Sequence, residues 1–243
     1  MNKQITMRSG TVPTFSRRDI VWTGIACGLV GRRAIAAVEP DPRPRPDSDK
    51  PGNLKADNPL PRFNGKDLGG WQVVDQFVFK RHGKVAMNDE VVSLGKGDPG
   101  TAIAWTGAAP PPNNYEISLE ARRTDGDDFF CGLTFPVDKS HCTLIVGGWG
   151  GSVTGLSNID DFPAVENETT GAVEIVQNRW HSIRLRVTPH EIQAWFDQSK
   201  IVDLDPKGKR FSIWWEQEPV RPLGIASWNT AASVRRFSFK RVP

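Results

Sequence analysis

The chain has 243 residues, of which 38% are hydrophobic and 24% are charged, and its mean hydropathy is -0.42. No uninterrupted apolar run approaches the ~18 residues that a membrane-spanning helix needs, so we expect no membrane span. The first 37 residues hold six basic residues and one acidic residue, and the remaining 25 basic and 27 acidic residues nearly balance. The formal charge of +3 therefore comes from the amino-terminal segment, and it does not indicate a nucleic-acid partner.

Residues 1–37 have the features of an export signal. A twin arginine at 17–18 precedes an apolar stretch over 20–30, and small residues follow at 34–37. This order is typical of a twin-arginine signal peptide and predicts an exported protein, located in the periplasm or outside the cell. The alternative is a short amphipathic helix with no targeting role. Cys27 lacks the preceding leucine of a lipoprotein box, which argues against a lipid anchor.

Residues 38–60 have the composition of a linker. Proline and charged residues dominate this segment, and it contains almost nothing that could enter a hydrophobic core. Such a composition is typical of an extended and mobile chain. We therefore expect ordered structure to begin near Leu60 and a single domain to occupy residues 61–243.

Residues 61–243 alternate apolar and polar side chains with the period of β-strands, and no segment shows helical periodicity. The alternation is clearest over 115–121 and 181–187. Turn-forming Asn, Asp, Gly and Pro separate the runs. About a dozen short strands result, which is too many for one open sheet. We therefore predict an all-β fold of two packed antiparallel sheets, a β-sandwich.

Two cysteines fall on neighbouring predicted strands of this domain. A hairpin that turns at residues 136–139 would bring Cys131 and Cys142 close to cross-strand register, with both side chains facing the core. An oxidising compartment would permit a disulfide between them. The alternative is two buried thiols, because cysteine is a common core residue and directly paired strand positions strain a disulfide.

The two ends of the domain carry the most specific sequence motifs. Residues 63–71 read FNGKDLGGW, and residues 223–239 contain LGIASW followed by VRRFSF. These segments resemble the opening and the last strands of the 3-keto-disaccharide hydrolase family, over roughly residues 61–242. The resemblance implies a concanavalin-like jelly roll with a concave sheet that faces carbohydrate. The opening motif itself has turn composition, and we expect its apolar residues to anchor the turn to the sandwich.

Tryptophan is abundant in the domain and suggests sugar binding. Trp149 has two glycines on each side, which would leave its indole face open beside bare backbone, an arrangement that suits a sugar ring. Trp195 falls on the polar face of its strand and Trp228 ends a closing motif, so both are further candidates for stacking. The alternative for Trp149 is a glycine-rich bend with the indole in the core.

A polar, acidic loop follows the glycine-rich segment. Its oxygen-bearing residues can bind a divalent metal (Ca²⁺ or Mg²⁺), bind substrate or take part in acid–base chemistry. We expect Asp160 and Asp161 to be metal ligands, Asn158 and Asn167 to contact substrate, and Glu168 to act in catalysis. The alternative is an acidic loop that is only solvated.

The family name implies a reaction and so suggests catalytic residues. A ketone at C3 of a sugar acidifies the proton on C2, so a base can remove that proton and expel the substituent on C1, after which water adds back. His141 is the best candidate base, because it lies on the strand face opposite the core residues Cys142 and Leu144. Glu168 is a second candidate, and Arg179 or a metal would stabilise the enolate oxygen.

The leading hypothesis is thus an exported hydrolase or lyase that acts on 3-keto glycosides. One alternative is a non-catalytic carbohydrate-binding module, with stacking tryptophans but no base. The other is a structural or adhesion domain of the cell surface. Carboxylates with shifted pKa values and an imidazole in one cleft would favour the enzyme, whereas aromatic residues alone would favour the binding module. The sequence leaves the identity of the sugar and the oligomeric state open.

Overall fold

A computed structural model describes residues 60–243. The predicted signal peptide and all of the linker except Leu60 lie outside the described residues. Fourteen strands follow in chain order: β1 (Trp71–Val73), β2 (Val85–Asn88), β3 (Val91–Leu94), β4 (Gly100–Trp105), β5 (Tyr115–Gly126), β6 (Cys131–Val137), β7 (Ser140–Gly148), β8 (Val153–Ser157), β9 (Gly171–Ala172), β10 (His181–Val187), β11 (Ile192–Phe196), β12 (Ser199–Leu204), β13 (Gly224–Trp228) and β14 (Thr230–Arg241). Two 3₁₀ helices, Phe77–Phe79 and Trp215–Val220, lie between strands.

The strands form two seven-stranded antiparallel sheets. The front sheet has the order β1-β4-β13-β6-β7-β8-β9, and the rear sheet has the order β12-β11-β10-β5-β14-β3-β2. The prediction of an all-β, two-sheet antiparallel sandwich of the jelly-roll type is confirmed. None of the helices within residues 60–243 is long and apolar enough to cross a membrane.

The main core lies between the two sheets and follows from the alternation in the sequence. On β5 of the rear sheet, Ile117 and Leu119 face inward, and Glu116 and Ser118 lie on the other face. On the front sheet, Leu133 of β6 pairs with Leu144 of β7, and both are buried in the same core. Full burial of a side chain of this size contributes roughly 1.5–3 kcal/mol, so the alternating strands alone stabilise the sandwich strongly.

The opening motif is a turn anchored by aromatic residues. The Asn64 Oδ1 accepts hydrogen bonds from the N–H groups of Lys66 and Asp67, each at 2.9 Å. The ring centroids of Phe63 and Trp71 lie 5.4 Å apart, and the Trp71 indole is buried in the main core. The motif therefore packs against one edge of the sandwich, and its role is structural.

The two strand cysteines are buried free thiols. The β6–β7 hairpin turns at residues 138–139, so Cys131 pairs with Val146 and Cys142 pairs with Phe135. The expectation that the two cysteines lie close to cross-strand register was wrong, because this tight turn places them four positions apart along the ladder. The structure has buried thiols here instead of a disulfide.

A second, smaller hydrophobic cluster covers part of the outer face of the front sheet. Ala102, Ala104 and Ala226 point outward from β4 and β13, and Val220 of the second 3₁₀ helix packs on them. A Cβ atom on Gly224 would lie only 2.3 Å from the Val220 side chain, so the helix can approach the sheet this closely only over a glycine. The helix is therefore fixed beside the open part of this face.

Candidate active site

A pocket of about 200 Å³ opens on the outer face of the front sheet. Strand residues Thr143, Ile145 and Ser157 line it, together with four aromatic side chains and three polar ones: Phe129, Trp149, Trp214, Trp228, Asp128, Glu216 and Gln217. We call this site the aromatic pocket. Its volume lies below the range of about 300–1,000 Å³ that is typical of sites for drug-sized ligands, so it suits a small ligand such as a single ring.

The floor of the aromatic pocket is set by the alternation of β7. Cys142 and Leu144 occupy the core, so Thr143 and Ile145 point out of the sandwich and into the pocket. The Thr143 hydroxyl shares a 2.9 Å hydrogen bond with the hydroxyl of Thr134 on the adjacent strand. The floor is thus part of a rigid sheet.

The rim of the aromatic pocket consists of partly exposed indoles. Trp149 and Trp214 are each 47% exposed, although tryptophan is usually well buried. Trp228 packs against Phe129, with ring centroids 6.1 Å apart and ring planes within 25°. Flat apolar surfaces of this kind can pack against the C–H face of a sugar ring.

The turn that carries Trp149 depends on its glycines. Gly147 and Gly151 have φ values of +83° and +108°, a region that favours glycine, and Trp149 itself has a φ of +48°. The Gly151 N–H donates a hydrogen bond to the Gly148 carbonyl at 3.2 Å and closes the turn. The chain reversal keeps the indole out of the core, contrary to the alternative of a buried Trp149.

Arg123 of β5 holds this turn and the loop before β6 together. Its side chain is nearly buried, and Nη2 donates hydrogen bonds to the carbonyls of Gly147, Gly151 and Asp128 at 3.1, 2.8 and 3.0 Å. Burial lowers the pKa of the guanidinium, while Asp128 and Asp127 oppose that change. Arginine remains charged under such conditions, so each of these bonds is charge-assisted.

Two carboxyl groups of the aromatic pocket have raised pKa values. Burial raises the pKa of Asp128 above its ordinary value, and the N–H groups of Phe129 and Trp149 offset only part of that effect. Burial also raises the pKa of Glu216, against the opposing bond from its own N–H. The Glu216 Oε2 atom is buried and has no hydrogen-bond partner among residues 60–243. Such carboxyl groups can exchange protons nearer neutral pH than ordinary ones.

The structure brings together some of the residues expected in a sugar site. Trp149 and Trp228 both line the aromatic pocket. Asn158 follows the lining residue Ser157 in the chain but does not itself line the pocket; it is buried, and its Oδ1 accepts a 2.9 Å hydrogen bond from the Ser157 hydroxyl. His141 shares the outer face of β7 with Thr143, but it pairs with Pro136 at the hairpin end and is not among the lining residues.

Other expected residues of the acidic loop are engaged elsewhere. The Asn167 amide donates to the carbonyls of Leu156, Phe162 and Pro163 at 2.7–3.0 Å, so it holds the loop in shape. Glu168 is exposed and forms an ion pair with Lys209 at 2.6 Å. Neither residue lines the aromatic pocket.

Asp160 and Asp161, the expected metal ligands, contact basic residues. The Asp160 Oδ1 accepts a 2.9 Å hydrogen bond from the Arg210 N–H, and the Asp161 carboxylate pairs with the Arg210 guanidinium at 2.5 Å. Within residues 60–243, no group of three or more His, Cys, Asp or Glu side chains is arranged to hold a metal ion. Metal binding at this loop stays a prediction, and the arrangement of these carboxylates gives it no support.

Arg179 and Trp195 belong to the rear side of the sandwich. Arg179 precedes β10 and lies 3.7 Å from the Asp197 carboxylate. Trp195 is on the outer face of β11, where the guanidinium of Arg184 covers its ring at 3.7 Å. Neither Arg179 nor Trp195 lines the aromatic pocket.

Sequence reasoning missed the polar residues of the aromatic pocket. Asp128 comes from the loop before β6, and Glu216 and Gln217 come from the second 3₁₀ helix. One signal was present, since two adjacent tryptophans, Trp214 and Trp215, directly precede Glu216. Adjacent tryptophans indicate a binding surface when they are exposed, because aromatic residues are enriched where proteins bind partners.

The fold and the pocket define the class of the protein, and comparison with known families then gives the family. The chain is a two-sheet β-sandwich with a pocket of exposed indoles and carboxyl groups on the outer face of its front sheet. The family described as "3-keto-alpha-glucoside-1,2-lyase-like domain" matches residues 59–240. The chain therefore belongs to this family, as its opening motif suggested. No curated protein matches the sequence significantly.

Several solved structures are distantly similar to the chain. A carbohydrate-binding module, CBM66, from Bacillus subtilis has 12% identity and a TM-score of 0.45, over 70% of this chain and 95% of that one. The Crh5 transglycosylase in complex with NAG has 13% identity and a TM-score of 0.46, over 70% of this chain and 66% of that one. A sialidase has 9% identity and a TM-score of 0.44, over 72% of this chain and 18% of that one. The family assignment does not depend on these distant similarities.

Proposed function

We propose that the protein is an exported enzyme that cleaves 3-keto glycosides by removing the proton on C2, with the aromatic pocket as its active site. The observation that most supports this proposal is the presence of two carboxyl groups with raised pKa values among exposed indoles. Indoles bind the faces of a sugar ring, and such carboxyl groups move protons. Membership of the lyase-like family is consistent with the same chemistry.

Glu216 is the base of the proposed reaction. Its Oε2 has no hydrogen-bond partner among residues 60–243 that would compete for an incoming proton, and a carboxylate with a raised pKa is a stronger base than an ordinary one. It takes the proton from C2 of the sugar, and the electron pair of that C–H bond moves into the enolate of the C3 ketone. The enolate then re-forms the ketone and breaks the C1–O bond, which leaves a C1=C2 double bond.

Asp128 protonates the leaving oxygen in this scheme. Burial raises its pKa, which increases the fraction that carries a proton near neutral pH. The alcohol that leaves takes this proton, and the unsaturated ketone remains in the pocket. Addition of water across C1=C2 gives the free 3-keto sugar, so elimination followed by hydration amounts to hydrolysis.

The residues that the sequence suggests for catalysis have different roles in this proposal. Glu168 pairs with Lys209, and Arg179 lies near Asp197 on the rear side, so neither is assigned a step. His141 remains a rival base, because it lies on the same face of β7 as Thr143. A substrate that extends beyond the pocket along β7 would approach it.

Substitution of the two carboxyl groups and of His141 separates these assignments. We expect Glu216→Gln and Asp128→Asn each to lower kcat/KM for a methyl 3-keto-glucoside by about 10²–10⁴-fold, the usual contribution of acid–base catalysis. Glu218→Gln is the matched control, because Glu218 lies on the same 3₁₀ helix but is paired with Arg221. Full activity of Glu216→Gln together with loss of activity in His141→Ala would assign the base to His141 and reject the pocket mechanism.

A non-catalytic binding module is the second candidate function. The observation that favours it is the exposure of Trp149 and Trp214, which provides stacking surfaces whether or not chemistry follows. Under this alternative, the wild-type protein binds glucosides but does not turn over a 3-keto glucoside. A structural or adhesion domain would do neither.

Export is the part of the proposal that depends on residues 1–37. The twin arginine at 17–18 and the apolar stretch after it support it. Replacement of both arginines by lysine should retain the full-length precursor inside the cell, since the twin-arginine route distinguishes the two residues. Cell fractionation with an antibody to the β-domain measures this. Unchanged delivery of the doubly substituted chain would reject the twin-arginine assignment.

A further inference from the structure

Gln217 is a nearly buried side chain of the aromatic pocket with an unpaired acceptor. The residue is 5% exposed, and its Oε1 atom has no hydrogen-bond partner in the part of the chain that the structure describes. A buried amide oxygen without a donor costs free energy, and native proteins contain few such atoms. A group of this kind in a binding pocket indicates a donor that arrives with the ligand.

The position of this atom distinguishes it from other unpaired polar atoms. Ser227 and Thr154 also have buried hydroxyl oxygens without partners in the described chain, but neither lines the aromatic pocket. Gln217 and its neighbour Glu216 do line it, and each has one buried side-chain oxygen without a partner in the described chain. Two adjacent residues of one small pocket therefore each keep an unused hydrogen-bond acceptor.

The backbone of Gln217 is fixed, so its side chain is presented in a defined place. Its N–H donates a 2.8 Å hydrogen bond to the Trp214 carbonyl, and Val220 of the same helix is fully buried against β4 and β13. No Lys, Arg or His from residues 60–243 lines the pocket. A ligand that fits this site presents hydroxyl donors to the unpaired oxygens of Glu216 and Gln217, and it carries no negative charge next to the two carboxyl groups.

We infer that Gln217 determines specificity in the aromatic pocket: its amide oxygen accepts a hydrogen bond from one hydroxyl group of a neutral sugar ring. The inference rests on the proposed function in taking a sugar as the ligand, but it does not require catalysis. Loss of a bond to an acceptor that is otherwise unpaired should weaken binding by about 10- to 100-fold. Sugars that carry a carboxylate should bind more weakly than their neutral counterparts.

The inference is tested by removing sugar hydroxyl groups one at a time and measuring binding to the wild type and to a Gln217 variant. Methyl α-glucoside and its 2-, 3-, 4- and 6-deoxy analogues keep the ring but lack the ketone, so their binding can be followed by tryptophan fluorescence without turnover. In the wild type, we expect one deoxy analogue to lose about 10- to 100-fold in affinity. In Gln217→Leu, removal of the same hydroxyl should no longer reduce the affinity, because the variant has no amide oxygen to accept its hydrogen bond. The losses of affinity at the other ring positions should stay the same.

Controls separate this result from unfolding and from failure of the proposed function. Gln193→Leu is the matched variant, since Gln193 lies on the outer face of the rear sheet and bonds Asp203 there. Circular dichroism and the melting temperature verify the fold of both variants. The role of Gln217 would be overturned if each deoxy analogue lost the same affinity in the wild type as in Gln217→Leu. It would also be overturned if no glucoside bound. Turnover of a methyl 3-keto-glucoside tests the proposed function separately. If the protein shows no turnover but one sugar hydroxyl still depends on Gln217 for binding, catalysis is rejected and the role of Gln217 stands.

Discussion

Arg123 donates a 2.8 Å hydrogen bond to the carbonyl of Gly151, at the far end of the turn that carries Trp149. The same nitrogen also bonds the carbonyls of Gly147 and Asp128. A residue of the rear sheet thus fixes two loops that supply the aromatic pocket of the front sheet. The guanidinium therefore helps to set the position of Trp149 relative to the Asp128 carboxyl, together with the Trp149 N–H, which bonds that carboxyl directly.

Replacement of Arg123 should damage both stability and binding. Arg123→Met leaves three carbonyls without their charged donor, and we expect the free energy of unfolding to fall by about 3 kcal/mol. Sugar affinity should also fall, because the Trp149 turn loses its attachment. Chemical denaturation and fluorescence titration measure the two effects. Arg122→Met is the matched control, since Arg122 stacks on Trp180 and makes no bond to either loop. Similar behaviour of the two variants would contradict the role given to Arg123.

Trp149 should respond differently to replacement by glycine and by alanine. Its φ of +48° favours glycine over any residue with a Cβ atom. We therefore expect Trp149→Gly to be more stable than Trp149→Ala by about 1 kcal/mol, although both variants lose sugar binding. The same pair at Trp195 is the control, where glycine should be the less stable because it lies within a strand. Equal stability of the two Trp149 variants would show that the positive φ carries no cost.

Glu216 should make the protein less stable as the pH rises. Burial raises the pKa of this carboxyl in the folded state, so the folded protein holds the proton more tightly than the unfolded chain does. Stability is therefore lost as the pH rises from the unfolded pKa of about 4.3 through the higher folded value. Glu216→Gln removes this loss and should melt at a higher temperature than wild type at neutral pH, with the difference shrinking below about pH 4. Melting curves across this range measure it. A lower melting temperature of the variant at neutral pH would contradict a raised pKa of the Glu216 carboxyl in the folded state.

The two thiols of the domain should be chemically silent in the folded protein. Burial raises the pKa of Cys131 and of Cys142 to about 12, so little thiolate exists near neutral pH. We expect a reducing agent to leave the melting temperature of the domain unchanged, and a thiol reagent to react with both residues only after denaturation. A drop of several degrees in the melting temperature on reduction would indicate a disulfide instead.

The fold was predictable because strand alternation records which side chains face the core. The runs at 115–121 and 181–187 became β5 and β10, with Ile117 and Ile183 in the main core. Strand register was less accessible, because it depends on the length of each turn. The two-residue turn between β6 and β7 shifted Cys131 four positions away from Cys142 along the ladder.

The candidate site was predictable only in its aromatic part. The glycines around Trp149 indicated an exposed indole, and the structure shows that indole at the pocket rim. Asp128, Glu216 and Gln217 were inaccessible because their meeting depends on where a 3₁₀ helix packs on the outer face of a sheet. No local pattern encodes that placement, so the sequence alone favours acidic residues near Trp149, such as Glu168, for roles that this geometry does not support.

The three outward-facing alanines of the front sheet have a consequence for how this domain tolerates mutation. Ala102, Ala104 and Ala226 do not line the pocket, but the 3₁₀ helix that carries Glu216 and Gln217 packs on their small side chains. A larger side chain at any of them would displace the helix while leaving the two sheets intact, since overpacking is relieved by movement of the less constrained element. A mutational scan should therefore show activity-sensitive positions at alanines that do not line the pocket, in proteins whose β-structure is unchanged.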